Sequence, residues 1–215
     1  MNVELVKHSA HDLDVVNAAR VSFAQHSEKL TDRDKGLIGF LMREKHGTPF
    51  EHSTFTFRVT APITVFREWH RHRVGHSYNE VSGRYVPLKR QFHYPMPRVQ
   101  HGKPGRYFFL PDERLRAKLV KPALWLAYNF SYSVYTLLMK LGIAKEVARY
   151  CLPGATMSQM YWTCNSRSLM HFLNLRTAPN AMHEIRVLAR EAEAHFAEVM
   201  PHTYEAFLKN NRVAP

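Results

Sequence analysis

From Ser53 to Thr60 the side chains alternate strictly: Phe55, Phe57 and Val59 on one side, Thr54, Thr56 and Arg58 on the other. Successive residues of a strand face opposite ways, so this segment reads as a half-buried strand. Helical patterns flank it. Upstream, Thr31 or Asp32 is placed to cap a helix whose apolar side is Leu37, Ile38, Phe40, Leu41 and Met42, ended by Gly47-Thr48-Pro49. Downstream, Pro62 sits where a helix can begin, and Val65, Phe66 and Trp69 keep helical spacing within Ile63 to His72. A strand set among helices predicts an α+β fold, rich in helix.

The rest of the chain fits that class. Asp14 to Val21 suggests a first helix. From Arg73 to about Arg106 the pattern is irregular and broken by Pro87, Pro95, Pro97 and Pro104, which reads as loop. Pro111-Asp112 opens a long helical stretch to about Leu141, with a kink expected at Pro122 and Gly142 as punctuation. A short helix to Leu152, a turn at Pro153-Gly154, a strand over Gln159 to Thr163 and a helix over Ser166 to Leu175 follow. The last helix carries one stripe: Met182, Ile185, Leu188, Ala192, Phe196 and Val199. With 215 residues and no internal repeat, the expectation is one domain spanning 1–215. The most apolar stretch, Ala123 to Met139, contains Asn129, Ser131, Ser133 and Thr136, so a buried helix is expected there and not a membrane span. The first residues lack the apolar core of a signal peptide. Cys151 and Cys164 form no CxxC pair and read as small buried hydrophobes. A cytoplasmic protein is expected.

The charge selects for anionic partners. Thirty Lys and Arg against eighteen Asp and Glu leave +12, with fourteen histidines besides. That excess suits nucleic acid, nucleotides or acidic membranes. A basic nucleic-acid-binding module is the reading from charge alone, but no helix-turn-helix, RNP or zinc-finger pattern accompanies it. The histidines suggest metal only by number. His70 and His72 are two apart, off any common helical face, and there is no HExxH, so no metal site is expected.

The densest polar cluster runs from Arg71 to Tyr85: Arg-His-Arg at 71–73, then Asn79-Glu80-Val81-Ser82-Gly83-Arg84-Tyr85. Guanidinium forks bind phosphate in bidentate fashion and stay charged, while Asn79 and Ser82 offer neutral hydrogen bonds to a base or sugar edge. A solvated basic loop would look similar. This cluster resembles the signature of the flavin-dependent thymidylate synthases, Arg-His-Arg, a spacer, then Asn-Glu-x-Ser-x-Arg-Tyr. The spacer from Arg73 to Ser82 is one residue longer than the family's usual one, with the extra residue expected near Val74-Gly75. Thr48-Pro49-Phe50-Glu51-His52, Ala148-Arg149 with Leu152-Pro153, Asn165 to Arg176, and Glu184-Ile185-Arg186 match further family segments in order. His171, Asn180 and Met182 depart from the usual Asn, His and Gln.

The resemblance implies that family's fold, an α+β domain with an antiparallel sheet core, and its reaction. That reaction is reductive methylation of dUMP to dTMP, with FAD as cofactor, methylenetetrahydrofolate as carbon donor and NADPH or NADH as reductant. It implies that Thr48, Arg71, His72, Arg73, Glu80, Asn165, Arg167 and His171 touch FAD. Glu68, Arg71, Ser82, Gly83, Arg84, Arg149 and Arg176 would bind dUMP. Arg176 would favour the deprotonated imide of uracil. Ser82 is at the reacting nucleotide too, but a serine nucleophile needs an activating base and none is identifiable, so a binding role is expected. The resemblance also implies a homotetramer with active sites shared between subunits. No nucleic-acid or membrane partner is expected.

Overall fold

The structure, a computed structural model, describes residues 1–104, 106–115 and 117–215. Its contacts divide into two compact units: Thr60–Trp69 with Glu80–Met160 and Met1, and Asn2–Val59 with His70–Asn79 and Tyr161–Pro215.

The second unit holds most of a four-stranded sheet in the order β1 (Asn2–His8), β2 (Thr54–Pro62), β6 (Met157–Asn165), β3 (His76–Glu80). Pairing of β2 with β6 is antiparallel: the Thr56 and Thr163 hydroxyls meet at 3.0 Å, and Ser166 N–H donates to the Ser53 carbonyl at 3.0 Å. The apolar side of the alternation read at Ser53–Thr60 makes the core. Phe57 stacks on Trp162 at 5.0 Å, Phe55 meets Phe196 edge-on, and Trp162 packs on Phe172; all five are fully buried. Phe172 belongs to α6 (Ser166–Arg176) and Phe196 to α7 (His183–Val199), the helices covering this face. On the wetter side Arg58 pairs with Glu4 of β1. Two further helices, α1 (Asp12–Arg20) and α2 (Asp32–Arg43), pack with α8 (Pro201–Lys209). Thr31 caps α2 through a reciprocal box with Asp34.

The first unit begins where β2 runs straight into α3 (Ile63–Trp69), held by Ile63 N–H to the Thr156 carbonyl and Thr64 N–H to the Gly154 carbonyl. Segment 80–93 lies along α4 (Ala117–Lys140): the Tyr135 hydroxyl accepts from Leu88 N–H at 3.1 Å, and the Tyr132 hydroxyl donates to the Leu88 carbonyl at 3.0 Å. The strands β4 (Arg98–His101) and β5 (Phe108–Pro111) form an antiparallel hairpin. A short helix α5 (Lys145–Ala148) leads into a 3-10 turn at Arg149–Cys151.

The α+β class with an antiparallel sheet is as expected. Several local expectations need correction. Segment 73–106, read as loop, contains β3 and β4, and β1 and α8 were not anticipated; Pro122 lies inside α4 as the sequence placed it. The expected burial of the Ala123–Met139 helix fails within one chain. Among the described residues of α4 only Tyr135 is buried, while Trp125, Leu126, Phe130 and Leu137 are exposed. The intra-chain partners of α4 cover one face and leave these apolar side chains outside it. Among the described residues no helix is long and apolar enough to cross a membrane.

Candidate active site

Two clefts carry most of the polar residues singled out in the sequence, one in each unit. The cleft of the second unit, about 430 Å³, is lined by His72, Arg73, Asn165, Arg167 and His171, with Glu51, Val74, Gly75, His76 and Ser168. Asn165 is the N-cap of α6 and accepts from Ser168 N–H at 2.8 Å, so the first turn of a three-turn helix opens onto the cleft. A helix N-terminus carries partial positive charge and favours anions. The loop after Arg73 is fixed by Ser168, whose hydroxyl donates to the Val74 carbonyl at 2.9 Å. Gly75 takes φ +70°, and a Cβ there would lie 2.2 Å from the Ser168 hydroxyl. Only glycine meets both demands.

Arg176, at the last turn of α6, donates from Nε to His72 Nε2 at 2.8 Å. His72 is therefore neutral, with its proton on Nδ1. Burial, then the charge of Arg176, hold its pKa down at about 4. His76 is lowered to about 4 by burial and then by His171, and its Nδ1 accepts from Trp162 Nε1 at 2.9 Å. Partial burial and then Arg167 lower His171 as well. The cleft thus concentrates guanidinium charge while keeping its imidazoles uncharged. Thr48 lies apart from these residues, exposed, on a neighbouring cavity of the same unit with Arg20, Ser22, Phe23, Arg33 and His46.

The first unit's cleft, about 610 Å³, is lined by Glu80, Gly83 and Arg149, together with Arg67, Tyr150 and Ser158. Gly83 is buried, and a Cβ on it would come within 3.3 Å of Arg149 Cδ. Arg84 follows and pairs with Glu146 at 3.0 Å. The Ser82 hydroxyl accepts from Arg84 N–H at 3.3 Å, within the turn that Tyr85 N–H closes on the Ser82 carbonyl. Ser158 is buried, and its hydroxyl has no hydrogen-bond partner among the described residues. Glu80 sits in this cleft and not with Arg73 and Arg167. Glu68, half-buried on α3, and the exposed Arg71 line neither cleft.

Residues 4–202 match the family model described as thymidylate synthase complementing protein. The chain belongs to this family. Its similar relatives include the flavin-dependent thymidylate synthase of Streptomyces avermitilis, 47% identical over all of this chain and 94% of that protein. The enzyme of the same description from Tropheryma whipplei is 48% identical over all of this chain and 95% of its own length. Among solved structures, a UMP/dUMP methylase, PolB, from Streptomyces cacaoi bound with 5-Br dUMP superposes with a TM-score of 0.91 at 42% identity, covering all of this chain and 97% of that one. The same protein bound with 5-Br UMP superposes equally well.

Within this family member, the sequence reading missed Ser168 and Gly75 as the pair that shapes the loop, and Glu51 and Ser158 as lining residues. Gly75 had a signal, a glycine inside a charged run. The other three did not, since a lone Ser or Glu on an element has no spacing to mark it. Among the described residues no group of three or more His, Cys, Asp or Glu is arranged to hold a metal ion.

Proposed function

We propose that this chain reductively methylates dUMP to dTMP, with FAD bound, 5,10-methylenetetrahydrofolate as carbon donor and NADPH or NADH as reductant. The observation that carries the reading is the meeting of Arg73, Arg167 and the α6 N-terminus on one cleft with neutral imidazoles. That donor set fits an anionic dinucleotide: guanidinium forks and a helix N-terminus for the pyrophosphate, and fixed positive charge beside an isoalloxazine that becomes anionic on reduction. FAD, when bound, would supply the reducing equivalents that turn the transferred one-carbon unit into a methyl group.

The chain's own residues do the rest. Arg84 and Arg149 take the nucleotide phosphate, Gly83 lets the backbone approach it, and Ser82 donates a hydrogen bond. Glu68 and Arg71 complete the nucleotide's surroundings. His72, Asn165 and His171, which line the second unit's cleft, contact the cofactor, and for Thr48 and Glu80 the family resemblance alone supports such a contact. Arg176, fixed by His72, favours the imide anion of uracil and so raises the nucleophilicity of the ring. The orphaned Ser158 hydroxyl beside Arg149 supports a polar ligand in the first unit's cleft. The assembly is a homotetramer with shared sites, a reading supported by the exposed apolar residues of α4.

The test is direct. Purified protein reconstituted with FAD should show flavin absorbance, and should convert dUMP to dTMP when given methylene-folate and NADPH. Protein that never retains flavin and binds polynucleotide with a steep salt dependence would instead be a nucleic-acid-binding module.

A further inference from the structure

Arg167 is held from three sides, and one of them is main chain 48 residues further on. Its Nη1 donates to Glu51 Oε1 at 2.6 Å, and its Nε donates to the main-chain oxygen of Pro215 at 2.7 Å. The backbone of Gly47 closes the third side: a Cβ there would lie 2.4 Å from Arg167 Cζ.

The segment that brings Pro215 to this place is itself tightly specified. After α8 the chain turns back through Asn211 and Arg212, which both take left-handed φ, 53° and 61°. A bulky residue such as Arg212 stays in that region only when its surroundings over-determine it. Here they do. Arg212 pairs with Glu193 at 2.7 Å, donates to the Thr177 hydroxyl at 2.9 Å and lies over the Phe207 ring at 5.3 Å. Asn210 Nδ2 donates to the Val213 carbonyl at 2.8 Å, and Ala214 and Pro215 are buried.

We propose that residues 211–215 are a positioning element of the second unit's cleft, fixing the Arg167 guanidinium in the orientation in which it meets an anionic ligand. This rests on the reading of the cleft as the FAD site. A free arginine must be ordered when its ligand arrives, and that ordering weakens binding; an arginine already fixed does not bear the loss. The Arg167 side chain keeps 37% exposure, so the tail holds it without covering it. Sequestration by the tail would have the opposite effect on affinity, which gives the experiment its sign.

Three variants separate the possibilities. Deletion of residues 213–215 removes the main-chain oxygen that Arg167 Nε meets. Arg212→Ala keeps the length but frees the turn, and carries the test if the deletion does not fold. Gly47→Ala displaces the guanidinium from the other side without touching the tail. Two quantities are read in each: the dissociation constant for FAD, and the rate at which phenylglyoxal modifies Arg167, followed by peptide mass spectrometry. Both tail variants should weaken FAD binding by about tenfold and speed modification of Arg167 several-fold, with Gly47→Ala doing likewise. Unchanged modification in folded tail variants overturns the proposal, as does tighter FAD binding. If the unaltered chain binds no FAD, the flavin reading fails by itself, and the modification rate alone decides whether the tail positions Arg167.

Discussion

Arg176 donates to an imidazole that cannot take a second proton at working pH, so its own charge is fixed and aimed. For Arg176→Ala we expect turnover to fall by about tenfold or more near neutrality, since one pKa unit of lost imide acidity is worth about 1.4 kcal/mol. Partial recovery should follow as the pH rises toward the imide's own pKa, measured as single-turnover rates; a flat profile at full rate would take Arg176 out of the chemistry. Gly75→Ala must both hold φ +70° and meet the Ser168 hydroxyl. We expect a loss of about 1–3 kcal/mol in urea unfolding, with weakened flavin binding. The histidines set a pH window. His72 and His76 titrate at about 4 when folded and near the ordinary 6.5 when unfolded. Below 6.5 the unfolded chain therefore binds more protons, so the stability these groups confer is complete above that pH and declines toward about 4. Urea midpoints should fall across that interval, and the double variant His72→Asn/His76→Asn should show a flatter profile.

At the scale of elements, α6 joins stability to binding through its cap. Asn165→Ala should cost about 1 kcal/mol of stability. Asn165→Asp keeps a capping oxygen but adds negative charge to the cleft, so it should preserve the melting temperature while weakening FAD binding. Equal losses in both measurements would make Asn165 a cap and nothing more. How far the elements were legible follows from how each is buried. β2, α6 and α7 bury one regular face, and their periodicity shows it. β1 buries only Val3, so its alternation carries no hydrophobic signal. β3 and β4 are short, polar strands, and β4 lies between Pro97 and Pro104. α8 begins at Pro201 directly after α7, and nothing in the apolar pattern marks the break at Met200. In the candidate site the arginines were legible, because phosphate chemistry demands that residue type. The main-chain oxygens of Pro215 and Val74 that fix their surroundings were not, because every residue has one.

For the whole molecule, the exposed residues of α4 are the feature that one chain leaves unresolved. If they form the contact of the proposed homotetramer, Leu126→Glu with Phe130→Glu should yield smaller species by sedimentation and abolish activity. Co-expressed Arg149→Ala and Arg176→Ala chains should regain part of the activity that each lacks alone, because some mixed sites receive both arginines intact. Verified mixed tetramers as inactive as their parents would place the two arginines in one subunit. A different consequence follows from Asp12, which accepts from Thr203 N–H at 2.8 Å and from its hydroxyl at 2.6 Å, across 191 residues of sequence. The start of α1 thereby closes the start of α8, as Val3 N–H closes on Glu191 at 2.7 Å. During synthesis β1 and α1 can meet β2 and α2 early, but their contacts with α7 and α8 must wait until those helices follow. Such long-range closure slows folding, so the faces of β1 and α1 that await Glu191 and Thr203 are what a chaperone would have to shield during synthesis.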